Sequence, residues 1–125
     1  MSTLALKQHY HGRNIYIFKE SFMDNSKQWW TGYIQLKETD PIYSLVKKNR
    51  DNFDDFYELN EYVDAFLPIT AAGKEEKIND TDLFIGFDTA ESFLADTTLI
   101  DCKKELMNWA NQLDKEPGFK IEVQH

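Results

Sequence analysis

Alternating apolar and polar residues predict strands in the first third of the chain. Residues 14–20, NIYIFKE, are β-prone and follow a glycine, so they predict one strand. Residues 28–37, QWWTGYIQLK, predict a second strand, with Trp29 and Trp30 on opposite faces because successive side chains alternate. We expect Trp30 to point into the core. Residues 21–27, SFMDNSK, have the composition of a turn between the two strands.

The middle of the chain has a less regular pattern. Residues 43–60 carry aromatic side chains at helical spacing and predict a short helix. Residues 62–70, YVDAFLPIT, predict a strand at a sheet edge or bulge, since Pro68 has no amide hydrogen for a ladder. Residues 71–82 are polar and predict a loop, and residues 83–88, LFIGFD, predict the next strand.

The carboxyl-terminal part predicts a long helix. Thr98 and Asp101 have the spacing of a capping box, and apolar residues then recur at helical intervals, so we expect a helix over about residues 98–114. Residues 119–123 alternate and predict a last strand. Strands first and a long helix last indicate an α+β fold, an antiparallel sheet of about four to six strands packed against a long C-terminal helix.

Length and composition indicate one ordered domain over residues 1–125. Hydrophobic residues make up 42% of the chain and aromatic residues 14%. The single cysteine, Cys102, cannot form an internal disulfide, and we expect it to be a small apolar residue on a helix. No run of 18 apolar residues and no signal-like start is present, so we expect a cytoplasmic protein that does not associate with membranes.

Charge is divided unevenly along the chain. Residues 1–50 contain 8 Lys or Arg and 4 Asp or Glu, whereas residues 51–125 contain 6 and 18. The second part should repel nucleic acid, because phosphate binding depends on Lys and Arg displacing counterions. A partner protein with a basic surface is the more natural expectation.

Acidic residues are densest between positions 51 and 64, where no basic residue interrupts them. The segment lacks the glycine and the ligand spacing of a calcium loop. It is either an ordinary solvated face or an acidic surface with aromatic anchors that docks on a basic groove. The candidate partner-binding residues are Asp51, Asp54, Asp55, Phe56, Glu58, Glu61 and Asp64.

Other candidate chemistry is sparse. His9 and His11 would share one face if their stretch is a strand, but no third ligand follows, and we expect no metal and no cofactor. No nucleophile has a histidine close in sequence, so no catalytic residue is assigned. A possible ligand pocket would combine Trp29, Asp40, Asp88, Glu91 and Asp96. For Asp88 we favour a corner residue that accepts backbone hydrogen bonds over an acid-base role.

Several short motifs resemble, in order, a family of small uncharacterised proteins of bacteriophages and prophages. The family motifs are Trp-x-Gly-Tyr, His-Pro-x-Tyr, His-Gly-Gly-x-Thr and Gly-Phe-Asp-x-Ala-His. The matching residues here are Trp30, Gly32 and Tyr33, then Asp40, Pro41, Ile42 and Tyr43, then residues 66–70, and then Gly86, Phe87, Asp88, Ala90 and Glu91. Asp40, Phe66 and Glu91 stand where the family has histidine, so any metal or proton chemistry of those histidines is lost here.

The resemblance and the charge together lead to one favoured function. We expect a non-enzymatic phage or mobile-element protein that binds and inhibits a host protein, of the anti-CRISPR or anti-restriction type, through the acidic surface. One alternative is an immunity protein that neutralises a basic toxin. The other is a small-ligand-binding or enzymatic domain that uses Asp40, Asp88, Glu91 and Asp96.

Overall fold

The computed structural model describes residues 1–24, 26–48, 56–91 and 94–114, with the backbone alone at residues 56 and 57. The elements in chain order are β1 (Ser2–Tyr10), β2 (Arg13–Ser21), β3 (Gln28–Gln35), α1 (Tyr43–Lys48), α2 (Phe56–Tyr62), β4 (Ala71–Glu75), β5 (Asn79–Asp88) and α3 (Leu99–Leu113). No helix in these ranges is both long and apolar enough to cross a membrane.

The strands form one open sheet in the order β1-β2-β3-β5-β4, and every neighbouring pair is antiparallel. The sheet has five strands, and α3 packs on β2 and β3, so the predicted α+β fold is confirmed. A two-residue turn joins β1 to β2, with positive φ angles of 53° at His11 and 76° at Gly12. Two left-handed residues match the twist of an antiparallel hairpin, which is why a glycine stands there.

The main core lies between the sheet and the helices. From α3 it contains Cys102, Leu106, Trp109, Ala110 and Leu113, spaced so that they share one face of the helix. Trp30 is half-buried and packs against this core, which confirms the prediction that it points inward. The capping box is also confirmed, because the amide of Asp101 donates to the Thr98 hydroxyl and the amide of Thr98 donates to the Asp101 carboxylate.

The opposite face of the sheet carries a second, aromatic cluster. Its buried members are Tyr16, Phe18, Tyr33 and Phe84. The β4–β5 hairpin covers part of this face, since Ile78 packs on the cluster and the Lys77 ammonium lies 4.6 Å from the Phe18 ring centroid and 5.0 Å from that of Tyr33. The sheet therefore carries apolar residues on both faces, and not only on the face that the predicted C-terminal helix covers.

Two predictions in the middle of the chain are wrong. Residues 63–70 form a loop where a strand was predicted, and residues 71–82 contain β4 and the start of β5 where a loop was predicted. Polar residues are tolerated in β4 because it is an edge strand. The loop needs no strand partner, since side chains from α2 and α3 take up several of its backbone groups.

Two further predictions fall partly or wholly outside the residues that the structure describes. The helix predicted within residues 43–60 corresponds to two short helices, α1 and α2, with residues 49–55 lying outside the described part. The last predicted strand, over residues 119–123, also lies outside it.

Candidate functional site

The described part of the acidic segment comprises α2 and the first residues after it. Glu61 and Asp64 are exposed, and Glu58 is half-buried. Three further candidate residues, Asp51, Asp54 and Asp55, lie outside the described residues, and so does the side chain of Phe56. The site is therefore built from α2 and from the loop that follows it, residues 63–70, which we call the α2–β4 loop.

Side chains of α3 hold the start of the α2–β4 loop. The Gln112 carboxamide accepts from the amide of Asp64 at 2.6 Å and donates to its carbonyl at 3.0 Å. The Asn108 carboxamide donates to the same carbonyl at 3.3 Å. Asn108 and Gln112 each lie more than 40 positions from Asp64 in sequence. These hydrogen bonds therefore attach the loop to α3.

The remainder of the loop is held by a buried carboxylate and by α2. Glu105 is 6% exposed, and its carboxylate accepts from the amide of Leu67. The Asn60 carboxamide accepts from the amide of Ile69 at 3.0 Å and donates to its carbonyl at 3.3 Å. The side chains of Leu67 and Ile69 are each 1% exposed in the main core, so the backbone of this loop is anchored on both sides.

Phe66 projects from this anchored loop into solvent. Its side chain is 83% exposed, although its neighbours Ala65 and Leu67 contact the core. Two acidic residues, Glu61 and Asp64, precede it and are exposed. A large apolar ring presented on a fixed backbone is the type of side chain that anchors protein–protein contacts.

The residues of the predicted ligand pocket do not all lie together. Asp88 is paired with Thr31 at the end of β5, and it accepts from the amide of Ala90 at 3.1 Å, as expected of a corner residue. Asp40 lies near Gln35, at the other end of β3, because Arg13 donates both to the Gln35 carbonyl and to the Asp40 carboxylate. The distance along β3 from Thr31 to Gln35 is about 13 Å, at about 3.3 Å per residue. The Asp40 carboxylate does not face Asp88.

Asp40 belongs to a buried ion pair. Arg13 is 1% exposed, and its two terminal nitrogens each lie 2.5 Å from one Asp40 oxygen. The guanidinium also donates to Asp114 at 2.8 Å, at the C-terminal end of α3. Burial alone would lower the pKa of Arg13, but these hydrogen bonds outweigh it and raise the pKa. Arg13 thus links β2, Asp40 and the end of α3, and Asp40 is not a free acid.

His9 and His11 are both exposed, and the condition under which they would share a strand face is not met, because β1 ends at Tyr10. His9 lies at the end of β1 with its Nδ1 3.0 Å from the Asn14 side chain, whereas His11 lies in the turn with its Nδ1 3.0 Å from Asp114. The two rings do not share a strand face. Among the described residues, no group of three or more metal-ligating side chains is close enough to hold a metal ion.

A cleft of about 200 Å³ opens where β3 begins. It is lined by Lys19, Gln28, Trp29, Trp30, Thr89, Ala95 and Thr97. Of the predicted pocket residues only Trp29 lines it, while Glu91 and Asp96 are exposed and lie outside its walls. Sequence reasoning missed Lys19, which reaches the cleft because the strand register sets it opposite Trp30. The sequence pattern does not show which residue of β2 is paired with Trp30.

Cys102 is fully buried on α3, as expected for a small apolar residue. Burial raises the pKa of its thiol to about 12, so the thiolate is scarce at neutral pH.

Searches of protein-family models, of curated proteins and of solved structures found no match to this chain. The resemblance to phage and prophage proteins therefore stays a prediction. The fold places the chain in a broad class only, the α+β proteins with a five-stranded antiparallel open sheet and a C-terminal helix packed on it.

Proposed function

We propose that this chain is a non-enzymatic binding protein that attaches to a basic surface of a partner protein and inhibits it. The observation that carries the proposal is Phe66, which is 83% exposed on a loop whose backbone is fixed by α2 and α3. The contact surface comprises Phe66, Glu61, Asp64 and the acidic residues that precede them in sequence.

The fixed loop favours tight binding for two reasons. Burying an exposed phenylalanine ring on association yields roughly 2 kcal/mol from the apolar surface removed from water. A backbone that is already ordered by Gln112 and Glu105 loses little conformational freedom when the complex forms. The ring therefore provides an anchor at a low entropic cost.

The charge around the anchor selects the partner. Six acidic residues lie between positions 51 and 64 with no basic residue among them. Their combined field accelerates encounter with a basic surface and makes the rate depend on salt. A surface built to bind phosphates offers such a basic groove, and carboxylates can occupy the places of phosphates. This chemistry, with the resemblance to phage proteins, supports an anti-CRISPR or anti-restriction role.

The test is capture of a partner from host lysate, followed by measurement with the purified partner. Phe66→Ser is compared with Phe22→Ser, since Phe22 is also a surface phenylalanine, 53% exposed on the β2–β3 connection. We expect the wild type and Phe22→Ser to bind one basic protein and to inhibit it. We expect Phe66→Ser to bind at least about tenfold more weakly, a loss of about 1.4 kcal/mol.

Salt and charge variants complete the test. Glu61→Gln with Asp64→Asn should slow association and flatten its salt dependence, because the steering field is weaker. Equal binding by Phe66→Ser, together with an unchanged unfolding midpoint, would exclude this surface. A basic toxin as the captured partner would keep the surface and change the role to that of an immunity protein.

A further inference from the structure

The cleft at the start of β3 has one aromatic wall, formed by Trp30. Trp30 packs one side of its indole on the core, and its backbone is fixed because its amide donates to the Thr89 hydroxyl at 2.9 Å and its carbonyl accepts from the Thr89 amide at 2.9 Å. Trp29 also lines the cleft, although its side chain lies on the other face of the sheet, where its ring meets Phe22 edge-on with 5.3 Å between centroids. The Trp30 indole therefore offers the preformed aromatic surface to a ligand.

The cleft also carries an ammonium group that has no carboxylate partner among the described residues. Lys19 lies with its Nζ 6.0 Å from the Trp30 ring centroid, and no ion pair of Lys19 is found in the described part of the chain. Lys19 is exposed, so its ammonium is accessible to a ligand, whereas Arg13 binds Asp40 and Lys77 binds Glu20 at 2.6 Å. Lys19 thus offers an accessible positive charge beside the Trp30 ring.

The remaining walls supply neutral polar groups and space. Gln28 contributes a carboxamide, Thr97 contributes a hydroxyl and Ala95 leaves room. Asp96, which lies between two lining residues in sequence, is not part of the wall, so no described carboxylate lines the cleft. The volume of about 200 Å³ corresponds to roughly seven water molecules at about 30 Å³ each.

We propose that this cleft binds a small planar anion, a single aromatic ring that bears a carboxylate. The ring would contact the Trp30 indole, and the carboxylate would take the Lys19 ammonium and the Gln28 carboxamide as hydrogen-bond donors. The site is separate from the Phe66 surface and does not depend on the proposed inhibitory function.

Benzoate is the probe, and benzamide, acetate and cyclohexanecarboxylate are its comparisons. Binding is followed by tryptophan fluorescence and by amide chemical shifts, with Trp109 as a constant background because it is fully buried. We expect saturable benzoate binding that shifts the amides of Trp30 and Thr89. Benzamide, which lacks the charge, and acetate, which lacks the ring, should each bind at least about tenfold more weakly.

Two variants test the assigned groups. Lys19→Met keeps an unbranched side chain but removes the charge, so benzoate should bind no better than benzamide. The matched control is Lys7→Met, because the Lys7 ammonium also lies over an aromatic ring, 5.7 Å from the Tyr16 centroid, but outside the cleft. Ala95→Leu should reduce benzoate binding by filling the cleft.

Several results would overturn the proposal. They are an absence of benzoate binding at about 10 mM, which corresponds to less than about 3 kcal/mol of binding free energy, equal affinity for benzoate and benzamide, or an equal loss of binding in Lys19→Met and Lys7→Met. Cyclohexanecarboxylate that binds as well as benzoate would refute the aromatic requirement. Phe66→Ser should bind benzoate as the wild type does, which separates this test from that of the proposed function.

Discussion

The ring of Phe87 occupies the space above Gly32 in the β3–β5 pair. The two residues are directly opposite in the register, and a Cβ added to Gly32 would lie 2.4 Å from the Phe87 Cζ. From this position the Phe87 ring meets Trp109 of α3 edge-on, with 5.5 Å between centroids. Gly32 therefore lets an aromatic side chain lie flat across the sheet and reach the helix.

Gly32→Ala should destabilise the protein by about 2 kcal/mol, since the added methyl group overlaps the Phe87 ring and the ring must move away from Trp109. Urea unfolding measures the change. The control is Gln28→Ala, at the exposed start of the same strand, for which we expect a change within about 0.5 kcal/mol. In Gly32→Ala with Phe87→Leu the two losses should be less than additive, and strict additivity would contradict the proposed overlap.

The sequence predicts best those helices and strands whose hydrophobic pattern is local. β2, β3 and α3 were predicted because their apolar residues alternate or recur at helical spacing, and both patterns are local. The pattern over residues 62–70 also predicts a strand, but that prediction is wrong. Leu67 and Ile69 are buried there, yet they belong to a loop and not to a strand. Burial alone does not identify the backbone conformation that achieves it.

The candidate surfaces were less predictable than the fold. Phe66 reads in sequence as one more apolar residue of a strand, and its exposure follows from bonds made by Glu105 and Gln112, which lie far away in the chain. Lys19 and Trp30 meet through cross-strand register. Asp88 was the exception, because an aspartate that accepts from an amide two residues on is a local feature.

Glu105→Ala should cost about 1–3 kcal/mol, because it leaves the buried amide of Leu67 without an acceptor. Glu105→Gln retains a carbonyl acceptor and should cost less than Glu105→Ala. Thermal unfolding gives the stabilities, and hydrogen exchange at the Leu67 amide reports the bond itself. Unchanged exchange at Leu67 in Glu105→Ala would show that the carboxylate does not hold the loop.

Asp40→Asn should be among the most damaging single changes, with a loss of about 3 kcal/mol, because it removes the charge paired with a guanidinium that is 1% exposed. Asp114→Asn is the comparison. Asp114 contacts the same guanidinium with a side chain that is 27% exposed, so its replacement should cost clearly less. Chemical unfolding of both variants checks the order, and the reverse order would show that Arg13 depends mainly on Asp114.

Stability should fall on acidification partly through Glu20. This residue is 7% exposed, and its carboxylate accepts from Lys77 at 2.6 Å, from Thr31 at 2.8 Å and from the Ser2 hydroxyl. Burial alone would raise the pKa of Glu20, but these donors outweigh it and hold the pKa below its usual value. A lowered folded pKa gives stability that is present above the unfolded pKa of about 4.3 and is lost as the pH falls through the folded pKa.

Lys77→Met tests this linkage, since without the ammonium the burial of Glu20 should dominate and raise its pKa. Carboxyl chemical shifts measure the pKa, and urea unfolding between about pH 3 and pH 7 measures the stability. We expect Lys77→Met to be less stable than the wild type at pH 7 but to lose less stability between about pH 7 and pH 3, because a Glu20 with a raised folded pKa is stabilised by protonation. Lys47→Met, where the exposed lysine of α1 is replaced, should lose as much as the wild type. The same loss in all three proteins would mean that other carboxylates, with Asp114 foremost because its pKa is also lowered, control the stability at low pH.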